Sequence, residues 1–195
     1  VIEIDDLGNT GKTSNLVTTR TVPISVTPIN DAPVIRVTDS TTPTPVTTDL
    51  VVSPDCLVET FQCVETLEDN NFTFSQTNDA LLSVNDVDVN ETGAFNSTPP
   101  NILQVSLSVT HGVLSLTPTS IAALDFTTDG DIGNGTDDVM MTFRGSQAEV
   151  NAALVDLEYD PDLHFNDNRG AEALVLTIND LGNTGKPAAT STTRI

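Results

Sequence analysis

The chain is 195 residues long, enough for one or two domains with a modest core. Its 28 acidic residues against 7 basic ones give a formal net charge of −21, which argues against nucleic acid and anionic membrane surfaces as partners. Aromatic content is 4%, with no Trp and one Tyr, so a large aromatic cleft for sugars or cofactors is poorly supported. No stretch reaches the roughly 18 apolar residues that a membrane span needs.

The chain opens on Val1-Ile2-Glu3-Ile4, without an initiator Met or a signal peptide, and reads as part of something longer. Residues 1–5 alternate as a strand, a Gly/Asn turn follows, and a Thr-rich strand is expected over 18–27. Asp6-Leu7-Gly8-Asn9-Thr10-Gly11-Lys12 recurs letter for letter as Asp180-Leu181-Gly182-Asn183-Thr184-Gly185-Lys186, an offset of 174 residues. Thr18-Thr19-Arg20 recurs at the same offset as Thr192-Thr193-Arg194. The register therefore holds without a gap, as expected of one period plus an overlap from a tandem array. Residues 1–29 are read as the C-terminal hairpin of a preceding repeat, and Pro28-Ile29-Asn30-Asp31-Ala32-Pro33 as a domain junction.

Residues 30–63 form the junction and a Thr/Pro-rich insert whose prolines disfavour a central strand and favour an extended, O-glycosylated segment. Cys56 and Cys63 close this insert; a small disulfide loop and two unrelated thiols are the alternatives, since zinc would need further ligands. Sequons stand at Asn71, Asn90, Asn96 and Asn134. With the Cys pair they suggest a secreted eukaryotic glycoprotein; a bacterial surface protein with chance sequons is the plainer reading. From 64 onward a sandwich repeat is expected over 64–195, its last strand truncated. Strands are expected over 71–75, 81–84, 102–110, 113–117, 139–143 and 174–179, with a tight turn at His111-Gly112. One helix is expected: Ser146 to Glu149 form a capping box, Val150, Ala153, Leu154 and Leu157 share a face, and Asp160-Pro161 stops it. The sum is an all-β Greek-key sandwich with one short helix.

Little in the chain reads as catalytic. Gly11-Lys12-Thr13 suggests a phosphate loop, but the required earlier glycine is Asp6 and the second copy carries Pro187. The run from Asp129 to Asp138 begins like a calcium loop, yet Gly133 and Asn134 occupy the wrong positions, so a flexible hairpin loop is expected. His111 and His164 lie in turn-like contexts and are read as surface residues. Acidic residues at strand ends are more informative. Asn30-Asp31, Asp86-Val87-Asp88 and Asp180 would repel one another if gathered at a joint, and Ca2+ is the hard cation that such oxygens hold. A solvated acidic surface is the alternative.

Thr66-Leu67-Glu68-Asp69-Asn70, Ser83 to Asp88, Ser108-Val109-Thr110-His111-Gly112-Val113-Leu114, Val150 to Leu154, Tyr159-Asp160-Pro161 and Leu176 to Asp180 follow one another in an order that resembles the cadherin-like tandem repeats of large surface adhesins. The resemblance covers residues 1–29, the junction 30–34 and most of 64–195. It implies Ig/cadherin-like sandwiches linked end to end, with Ca2+ stiffening the joints. Asn30 and Asp31 match part of the linker motif, Asp86 and Asp88 its Asp-x-Asp pair, Asp180 the Asp before the last hairpin turn, and Glu68 an early acidic position more loosely. Pro28 and Ala32 replace further ligands, so one or two ions at most are implied. The function expected is a structural, non-enzymatic module of an extracellular filament, cell-surface hair or stalk, whose partners are neighbouring repeats, other copies and glycans. A calcium-dependent adhesion module that binds a partner cell or glycan through its loops is the alternative.

Overall fold

A computed structural model of the chain describes residues 1–7, 17–26, 29–38, 43–45, 64–89, 101–128, 130–166, 168–182 and 190–195. The described chain is mostly β, with two helices. Strands β1 (Ile2–Asp5) and β2 (Val17–Arg20) form a two-stranded antiparallel sheet by themselves. Strands β3 (Val34–Thr38), β4 (Pro43–Pro45), β5 (Phe72–Phe74), β6 (Leu81–Asn85), β7 (Ile102–Ser108) and β8 (Gly112–Ser115) follow. Helix α1 (Pro118–Ala123), β9 (Met140–Ser146), α2 (Gln147–Leu154), β10 (Leu157–Pro161), β11 (Val175–Asn179) and β12 (Thr190–Arg194) complete the order. The sheets are ordered β4-β3-β6, β5-β10-β8 and β12-β11-β7-β9, all paired antiparallel.

Alternation explains how these three sheets share one core. Leu103, Val105 and Leu107 of β7, Leu176 and Ile178 of β11, and Leu82 and Val84 of β6 are buried at every second position, as the period of a strand requires. Ile35 and Val37 of β3 join them, so the start of the expected insert is a packed central strand. Prolines 43 and 45 fall in β4, the edge of that sheet, where a missing N–H is tolerated.

Helix α2 is the expected one, with both hydrogen bonds of its capping box in place. It ends earlier than its apolar spacing predicts. Val155 is extended, Asp156 takes a left-handed φ of 63°, and Leu157 is buried as the first residue of β10. Asp160 and Pro161 therefore belong to that strand and do not stop the helix. The second helix, α1, starts with Thr117 as its cap and Pro118 in its first turn, a start signal legible in the sequence but too short to show a period. His111-Gly112 does turn the chain, but β7 and β8 lie in different sheets, so the turn is a corner between sheets and not a hairpin. Gly112 has φ 134°, and a Cβ there would meet the Asp160 carbonyl oxygen at 2.3 Å.

Candidate functional site

Three strand ends meet where the sequence places its acidic residues. The antiparallel pairing Val34↔Asn85 sets the entrance to β3 beside the exit from β6, which brings Asn30 and Asp31 toward Asp86 and Asp88. The Ser191 hydroxyl donates to the Pro33 carbonyl oxygen, so the β11–β12 pair is tied to the same entrance. Helix α2 braces the exit. The Asn151 side chain accepts from Val84 N–H at 2.7 Å and donates to Val84 O at 2.9 Å, and Gln147 Oε1 accepts from Asp86 N–H at 2.9 Å. These contacts satisfy the outward-facing backbone groups of Val84 on the open side of β6, which is an edge strand.

Five of the six expected residues come together there. Asn30 Nδ2 donates to Asp180 Oδ2 at 2.5 Å, and Asp31 N–H donates to Asp88 Oδ2 at 2.6 Å. Asp86 Oδ1 accepts from Asp88 N–H at 2.9 Å, and Asp180 Oδ1 from Gly182 N–H at 2.9 Å. Asp86, Asp88 and Asp180 are only 5%, 6% and 0% exposed, which is unusual for carboxylates. Burial pushes the Asp86 carboxyl above its ordinary range; the Asp88 N–H opposes this, and the charges of Asp180 and Asp88 add to the rise. Among the described residues no cationic side chain forms an ion pair with Asp86.

The donor set is carboxylate, amide and backbone oxygen, the chemistry that suits a hard cation such as Ca2+. As the side chains stand, no group of three or more His, Cys, Asp or Glu among the described residues is arranged to hold a metal ion. The oxygens named above already accept from N–H groups. Glu68 is not part of this cluster. It is exposed, and its Oε2 accepts from Asn166 Nδ2 at 2.7 Å.

Other expected site residues are dispersed. Asn71 and Asn134 are exposed; the Asn71 amide donates to Glu158 at 2.7 Å, and Asn134 accepts from Thr136 N–H at 3.0 Å. Asn90, Asn96, Cys56 and Cys63 lie outside the described residues. The loop before β9 is tied by its own carboxylate, since Asp138 Oδ2 accepts from the N–H groups of Asn134 and Gly135 at 2.8 and 2.7 Å. His164 is an exposed turn residue with φ 61°, paired with Asp69 at 3.1 Å. His111 is also a turn residue and partly exposed. Its ring stacks on Phe165 with centroids 4.3 Å apart, and its Nδ1 lies 3.3 Å from Glu172.

One feature lies outside everything expected from the sequence. A groove of about 340 Å³ runs between residues 64–68 and 172–174, with Phe72, Phe74, Val109 and Ile195 among its apolar lining and Glu65, Glu68 and Glu172 along it. Tyr159 borders the groove, its hydroxyl donating to the His111 carbonyl oxygen at 2.5 Å. Burial, then the charges of Glu172, Asp162 and Asp160, push that hydroxyl well above its ordinary pKa. The lining comes from five separate stretches of chain, so no local motif marks it. No family model, no curated protein and no solved structure matches this chain.

Proposed function

We propose that this chain is a structural, non-enzymatic repeat unit of a secreted glycoprotein that builds an extracellular filament, cell-surface hair or stalk. The finer fold belongs to the same reading: an Ig/cadherin-like Greek-key sandwich, joined head to tail through the segment before β3. One observation carries it. Ile2 and Ile4 correspond, at the offset of 174, to Leu176 and Ile178. The second pair is fully buried, whereas the first pair is 57% and 66% exposed.

The residues that leave each strand are built alike. Asp5 Oδ1 accepts from Leu7 N–H and Asn179 Oδ1 from Leu181 N–H, both at 2.8 Å, and both leucines take a left-handed φ, 53° and 58°. The same element thus stands once inside a core and once with its apolar face bare, as expected of a hairpin separated from the repeat that covers it. In the array, Asn30, Asp31, Asp86, Asp88 and Asp180 would hold Ca2+ at the joint, and the ion would supply the positive charge that lets the carboxylates stay close. Exposed Asn71 and Asn134 suit glycans, and the net charge of −21 keeps neighbouring surfaces hydrated and apart.

Small-angle scattering on a polypeptide of two or more such repeats tests this. A rod that lengthens with repeat number in millimolar Ca2+ and becomes limp in chelator is the expected result. A compact particle, or scattering indifferent to chelator, overturns the mechanical reading or its calcium part respectively.

A further inference from the structure

Leu174 and Ile195 exchange both backbone hydrogen bonds, at 2.7 and 2.8 Å, as the last pair of the β11–β12 ladder. The groove begins there, since Glu172, Ala173, Leu174 and Ile195 line one side of it. At the offset of 174, Ile195 corresponds to Thr21, and the residues after Thr21 are Val22-Pro23-Ile24-Ser25-Val26. In an extended chain, positions 22, 24 and 26 share one face. These three side chains are 60%, 86% and 85% exposed in the first copy. Among the described residues, one copy therefore shows an apolar groove with no segment seated in it, and the other, at the corresponding place, an exposed apolar stripe.

We propose that the groove seats a strand of the Val22–Val26 type, running on in cis from Ile195, and that this strand closes each repeat. The assignment rests on the tandem reading above and names an occupant for the groove. Chemistry agrees with the match. The segment carries no charge, so the glutamates along the groove do not oppose it, whereas an acidic segment would be repelled. Pro23 has no N–H to continue the ladder, so the seat must hold the segment mainly through its side chains, and the groove offers the exposed Leu67 and the half-buried Phe72 and Phe165 for that purpose.

The test extends this chain after Ile195 with Val-Pro-Ile-Ser-Val and, separately, with Ser-Pro-Ser-Ser-Ser. The apolar extension is expected to raise Tm by about 4 °C or more and to shift the Tyr159 and Phe72 ring resonances, while the polar one leaves both unchanged. Equal melting of the two extended chains overturns the proposal. So does association of the unextended chain into dimers that Val22→Ser, Ile24→Ser and Val26→Ser together abolish, because the segment would then come from a neighbour. The extension uses a single chain, so its outcome is independent of the multi-repeat scattering that tests the tandem reading.

Discussion

Asp86 is the residue on which the candidate joint turns. A carboxyl whose folded pKa is raised contributes stability that is complete below the unfolded pKa, about 3.9, and is lost as pH rises through the folded value. Asp86→Asn removes that dependence while keeping an oxygen to accept from Asp88 N–H. Without Ca2+, the variant is therefore expected to gain stability over the parent as pH rises from 4 to 8, with no difference near pH 3. With Ca2+ the order reverses, since the variant has lost a ligand and its affinity is expected to fall by at least about tenfold. Urea unfolding across pH, with and without Ca2+, reads both. A variant indistinguishable from the parent in every condition would show that Asp86 is simply a tolerated buried acid. Such residues were legible beforehand because short acidic motifs stand at strand ends, where side chains from different strands converge. Glu68 was matched only by its order along the chain, and order does not say which end of a strand a loop residue faces.

Between elements, the two hairpins form a natural control. β1 and β2 pair Ile2 with Arg20, whereas the corresponding residue of the second hairpin, Leu176, pairs with Thr193, one place out of step with its own equivalent of Arg20. Similar turns and closely related strands thus give two registers. Register is held strongly only where a slip would move buried side chains to solvent, and β7 supplies that constraint to β11 alone. Ile178→Ala is therefore expected to cost about 2–5 kcal/mol, the usual range for emptying a core position. Ile4→Ala, at the matching site of the exposed hairpin, is expected to stay within about 0.5 kcal/mol. Comparable losses for the two would mean that β1 is covered in solution. Several strand positions were readable from alternation and α2 from its capping box, but β3 was hidden in what reads as an insert and β10 in what reads as the end of the helix. The groove was not readable either, because Phe72, Val109, Tyr159, Leu174 and Ile195 are far apart in sequence, and the turn at Gly112 revealed nothing about which sheet β8 would join.

Taken whole, the molecule carries a charge that opposes its own compactness, so any cation stabilises it to some degree. Screening and site binding differ in concentration and in selectivity. The Debye length shortens to about 10 Å only near 0.1 M salt, while extracellular calcium modules fill at about 10⁻⁴–10⁻³ M. At ten times its Kd one bound ion adds about 1.4 kcal/mol, equivalent to about 3–6 °C in a chain of this length. Millimolar CaCl2 is accordingly expected to raise Tm by that amount at an ionic strength held constant with NaCl, and MgCl2 to raise it by less, because Mg2+ sheds its water reluctantly and demands a tighter octahedron. Equal shifts from the two salts would assign the whole effect to the diffuse field of the acidic surface. A shift specific to Ca2+ that disappears in Asp86→Asn would locate it where β3 enters the core and β6 and β11 leave it.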